Sequence, residues 1–125
     1  FMAAESVSDE EISEAEKKLH VEFDPSYREF LMKYGGALVG PYPIIGLRHA
    51  EPMDDALWSV VDVTDYYRRE GWNGANDWYI ISTDHADNPV GIDADGVVYK
   101  SDHDFGVIEK VSDSFEGYLV LCLDS

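Results

Sequence analysis

Residues 91–102 read GIDADGVVYKSD, and two structures compete for them. On the twelve-position calcium loop of a helix–loop–helix, Asp93, Asp95, Gly96, Val98 and Asp102 fall at positions three, five, six, eight and twelve. Position one, which needs a carboxylate, is Gly91. Such a loop is held between two helices, but both flanks here, PVGID and VVYKS, read as strands. The stretch is therefore expected to be a β-hairpin turning at Asp95-Gly96, with Val98 and Lys100 on the opposite face from Val97 and Tyr99.

Working outward, WYIIS reads as a buried strand, TDHADN as a polar loop, and Val107–Val111 as a further short strand. DSFEGYLVLCL reads as a helix, with Asp113 and Glu116 as its capping pair and Phe115, Tyr118, Leu119, Cys122 and Leu123 on its apolar face. On the other side, SVVDVTDYYRREG is a helix that starts at Ser59, or at Thr64 with Val60–Val63 as a strand, and ends near Gly71. Residues 36–58 suggest strands near Ala37–Val39 and Ile44–Leu47, joined by a rigid turn at Pro41 and Pro43.

Two helices open the chain. Ser8 and Glu11 form a capping box, Val7 and Ile12 a hydrophobic staple, and Ile12, Ala15 and Leu19 a narrow apolar stripe ending at His20. In FDPSYREFLMKYGG, Asp24 caps and Pro25 takes the first helical position. Tyr27, Phe30, Leu31 and Tyr34 then share one face, and Gly35 terminates the helix. Met2 reads as the natural start, with Phe1 left by cloning or processing, and no basic-then-apolar leader or membrane-length apolar run is visible.

With 125 residues and 45% hydrophobic content, one domain with a real core is expected, spanning residues 2–125. The formal net charge is −17, from 26 acidic and 9 basic residues, and the acidic excess lies at both ends of the chain. Such a surface repels nucleic acid and anionic membrane and attracts basic partners. Cys122 is the only cysteine, which excludes an intrachain disulfide and a thiolate metal cage and suits a reducing cytoplasm. Its place on an apolar stripe makes it a small core residue.

The order of YREFLMKYGG, WYIISTDHADNPVGID, DGVVYKSDHD and DSFEGYLVLCL resembles the SUKH superfamily over roughly residues 8–123. That superfamily includes the yeast cell-wall-assembly regulator and many bacterial immunity proteins. Two details depart from its pattern: Pro25 precedes Tyr27 by two residues where three is usual, and TDHADN is poor in glycine. The resemblance implies an α+β fold, an antiparallel or mixed sheet of about five to six strands with helices packed around it. It also implies a non-catalytic protein without a cofactor that neutralises a cognate toxin, with a basic, nuclease-like toxin domain fitting the charge.

The expected partner surface is the pair of acidic loops, Asp84, His85, Asp87, Asn88, Asp102 and Asp104, with Trp72 as an aromatic anchor beside Arg68 and Arg69. Two other functions compete with this one. Asp84, His85 and Asp87 could join Asp102, His103 and Asp104 around a divalent metal for hydrolysis, although the spacing matches no zinc signature. Alternatively, a regulatory interaction module would use Tyr42, Trp58, Trp72 and Trp78, although Trp78 suits the core better. His20 and His49 lack a local nucleophile partner, and GPYPIIG lacks the lysine and the strand-to-helix setting of a phosphate loop.

Overall fold

The computed structural model describes residues 2–3, 5–40, 42–48, 59–84, 86, 88–102 and 106–124. The fold is α+β. A short strand, β1 (Met2–Ala3), precedes helices α1 (Asp9–Leu19) and α2 (Pro25–Tyr34), then strands β2 (Ala37–Val39) and β3 (Tyr42–Ile44). Helix α3 (Val60–Arg69) leads through a 3₁₀ turn (Ala75–Asp77) into β4 (Tyr79–Thr83), β5 (Pro89–Ile92), β6 (Val98–Ser101), β7 (Ile108–Ser112) and helix α4 (Phe115–Leu123).

The strands form two antiparallel sheets, ordered β1-β2-β3 and β4-β5-β6-β7. A β-bulge between Ile80 and Ser82 interrupts the β4–β5 register. The Ile81 carbonyl accepts the Ile45 amide at 2.7 Å, and the Ser82 hydroxyl donates to the Pro43 carbonyl at 2.6 Å. These bonds join the two sheets where a single sheet was expected. Strand β3 starts two residues earlier than its sequence suggested, because Pro43 pairs with Leu38 inside the strand and does not turn the chain. The turn instead uses Gly40, whose φ is +59°.

Local chemistry sets the helix ends. Ser8 Oγ accepts the Glu11 amide at 3.2 Å, and Glu11 returns a carboxylate oxygen to the Ser8 amide. The same carboxylate takes two bonds from the Arg48 guanidinium, at 2.7 and 2.8 Å. The Arg48 bonds are the main reason the Glu11 carboxyl is held down at about 2. A depressed carboxyl pKa stabilises the fold above its ordinary value of 4.5, and that contribution disappears as pH falls toward 2. NMR titration of the glutamate carboxyls should therefore give Glu11 a midpoint near 2, rising in Arg48→Ala toward the ordinary value while the Ser8 bonds still act to lower it. A wild-type midpoint near 4.5 would contradict this pairing.

Asp24 caps α2 through the Ser26 amide at 3.0 Å, and Gly35 closes it with φ +69°. Ser59 caps α3 by accepting the Val61 and Asp62 amides, so Val60–Val63 is helix and not strand. At α4 the cap is Ser114, which accepts the Gly117 amide, and not Asp113. Asp113 instead pairs with Lys110 at 2.7 Å.

The core centres on Tyr27, which is fully buried among Phe23, Phe30, Tyr79 and Phe115. Edge-on contacts at 5.2 and 5.3 Å set it against Phe23 and Phe115, an arrangement favoured by the ring quadrupoles. Its hydroxyl donates to the Ile45 carbonyl, next to the junction of the sheets. Tyr34, expected on the same buried stripe, is 36% exposed at the end of α2.

Residues 93–97 form the hairpin turn between β5 and β6. Asp93 Oδ1 accepts the Asp95 and Val97 amides at 2.9 and 3.0 Å, and Gly96 has φ +83°. The carboxylate that a calcium loop would use is thus bonded to turn amides. Gly91 also has a packing role: a Cβ there would lie 2.8 Å from the Cβ of Trp78. Trp78 is buried and stacks on Tyr99 at 5.7 Å.

Candidate functional site

The antiparallel register places the two acidic loops at one end of the four-stranded sheet. Asp84 follows β4, Asn88 precedes β5, and Asp102 follows β6, whose Lys100 pairs with Val90. His85, Asp87, His103 and Asp104 of this expected cluster lie outside the described residues, as do Trp58 and His49.

Asp84 organises its loop. Oδ1 accepts the Ala86 and Asn88 amides, both at 2.9 Å, and Oδ2 accepts the Asn88 side-chain amide at 3.1 Å. Lys100 approaches to 3.6 Å. Burial works to raise the Asp84 pKa, but the Asn88 bonds, the Ala86 amide and the Lys100 charge together lower it. Asn88 is buried. Both residues therefore shape the loop more than they present it.

Asp102 and Trp72 meet in a cleft of about 230 Å³, lined also by Glu70, Gly71, Asn73, Ser101 and Gly106. Asn73 closes one side by donating to the Gly106 carbonyl at 2.8 Å. Trp72 is half-buried, edge-on to Tyr67 at 5.2 Å, so its ring is partly committed to packing. A wall with two carboxylates, Glu70 and Asp102, suits a cationic group.

Asp84 lines a different cleft, of about 160 Å³ between α4 and the sheet, with Tyr42, Val90, Lys100, Val111, Tyr118, Leu121 and Cys122. Among the described residues, Asp84 is thus set in a different cleft from Asp102 and Trp72. Glu70, Asn73 and Lys100 were missed as site residues. Strand alternation gives a signal for Lys100, because it sits opposite Val90 and points toward the Asp84 loop. Glu70 and Asn73 lie next to Trp72, but only the α3 geometry brings them beside Asp102.

Among the described residues, no group of three or more His, Cys, Asp or Glu is placed to hold a metal ion. Cys122 is 1% exposed, and burial pushes its thiol pKa up. Its reaction with a water-soluble disulfide reagent should be slow in the native protein and become fast with denaturant. Fast native labelling would contradict the α4 packing. Among the same residues, no helix is long and apolar enough to cross a membrane.

Fold and surface together define a small acidic α+β protein with open surface clefts. The model of the SMI1/KNR4 family (SUKH-1) matches residues 6–120. The chain belongs to that family. No curated protein matches it.

Proposed function

We propose that this chain is an immunity protein: a non-catalytic, cytoplasmic, single-domain SUKH protein that binds and neutralises a cognate bacterial toxin. The observation that carries this reading is family membership over residues 6–120 combined with a net charge of −17. An acidic protein of this kind suits a basic partner such as a nuclease domain, because it can occupy the surface that otherwise receives phosphates. The proposed contact is the acidic loop end, with His85, Asp87, Asp102 and Asp104 as the contacting groups and Asp84 and Asn88 holding the loop in shape, together with the Trp72 cleft. Attraction arises from the summed field, so salt and single charge reversals change the association rate more than the dissociation rate.

Deletion of the gene from its host tests the reading. The deletion strain should be inhibited when grown in contact with its parent, and a plasmid copy should restore growth. Equal fitness of parent and deletion strain in that competition would contradict immunity. Altered cell-wall composition without any toxin sensitivity would instead assign the regulatory role.

A further inference from the structure

Helix α4 is apolar on its outer side as well as its inner one. Phe115, Tyr118 and Cys122 are buried, yet Val120, Leu121 and Leu123 are 56, 48 and 59% exposed. A helix whose outward side chains are also apolar is ordinarily enclosed; here Val120 and Leu123, spaced i, i+3, form a patch on one open face, and Leu121 flanks it on the side of the sheet. The patch runs into the cleft between α4 and the sheet, where Leu121 meets Tyr42, Val90 and Val111.

Charge brackets the patch. Glu116, Val120 and Asp124 are spaced i, i+4, i+8, so carboxylates stand on both sides of Val120 along one stripe. The nearby cations are already paired: Lys100 lies 3.6 Å from Asp84 and 3.7 Å from Glu109, and Lys110 lies 2.7 Å from Asp113. The rim therefore remains net negative. A second copy would bring a further −17 against it.

We propose that the outer face of α4, with Val120 and Leu123 beside the Glu116 and Asp124 carboxylates and Leu121 at its flank, is a docking surface for a basic protein partner. That partner presents an aliphatic or aromatic side chain flanked by lysines or arginines. The inference deepens the immunity reading by adding an apolar anchor point to the acidic contact, and it rests on that reading for the partner's identity.

The test uses the full chain and two synthetic peptides of equal charge, one an amphipathic helix of leucine and lysine, the other of serine and lysine. Amide shifts in NMR should map the leucine–lysine peptide to α4, with binding about tenfold tighter than that of the serine–lysine peptide. The double variant Val120→Gln/Leu123→Gln keeps good helix formers at exposed positions and should melt like the parent. It should lose about tenfold in affinity for the leucine–lysine peptide. Equal affinity for the two peptides, shifts confined to other elements, or an unaffected variant would overturn the proposal. So would salt-induced dimerisation that the double variant abolishes, which would assign the face to a second copy. If deletion of the gene leaves toxin resistance intact while the peptide still maps to α4, the immunity reading fails and the surface stands. If the double variant restores full resistance to a deletion strain, the surface fails and the immunity reading stands.

Discussion

Replacing Tyr27 with alanine is expected to cost about 4 kcal/mol of stability, enough to leave much of this small protein unfolded near physiological temperature. The side chain is fully buried and touches rings from α2, β4 and α4 as well as Phe23. The surrounding rings also hold one another, Phe30 edge-on to Phe115 at 5.4 Å and Phe23 against Tyr79 at 4.7 Å, so they cannot all move into the gap and a cavity remains. Tyr27→Phe separates packing from polarity. It keeps the ring but leaves the Ile45 carbonyl without its hydroxyl donor, and should cost about 1–2 kcal/mol. Urea unfolding of both variants checks the pair. A loss below about 2 kcal/mol for Tyr27→Ala would mean that the centre of the core lies elsewhere.

The second large effect is expected at Arg68. Its guanidinium donates to three backbone carbonyls: Leu19 at the end of α1 at 2.9 Å, Ala75 in the 3₁₀ turn at 3.0 Å, and Trp78 before β4 at 2.9 Å. One planar group thus satisfies three separate chain segments and ties α3 to all of them. Burial lowers its pKa, although the group stays charged at any pH the fold survives. Arg68→Met removes three hydrogen bonds made by a cation and strands their acceptors, at an expected cost of about 3–4 kcal/mol. Arg68→Lys should recover less than half of that, because a single ammonium cannot address three divergent carbonyls. If lysine restored full stability, a point charge would suffice and the fork geometry would be irrelevant.

Arg68 also marks how far the sequence can be read. Beside Trp72 it looks like part of a basic surface doublet with Arg69, and nothing local shows that it turns inward to three carbonyls. Its acceptors are backbone groups, which carry no residue-type signal. Features with local chemistry are readable. The Ser8–Glu11 box, the Asp24-Pro25 start and the Asp95-Gly96 turn each need a residue type at a fixed offset, and each forms as expected.

Features set by tertiary neighbours are less readable. Gly91 looks like a missing ligand until Trp78 is seen to pack over it. Leu123 continues the apolar spacing of α4, yet 59% of it remains exposed, because periodicity reports which residues are apolar and not whether anything covers them. The acidic loops behave similarly. The antiparallel hairpin register brings Asp84, Asn88 and Asp102 to one end of the sheet, but Asp84 is occupied by its own loop's amides. Asp102 opens onto a cleft whose other wall comes from the turn that follows α3.

Affinity capture of the tagged chain from its native host, washed first at low and then at high salt, tests the central claim most directly. The account predicts one basic toxin domain, held near-stoichiometrically, inactive while bound, released by high salt and active once separated. Retention of a cell-wall or signalling protein in its place, with no toxin activity in the high-salt eluate, would contradict it.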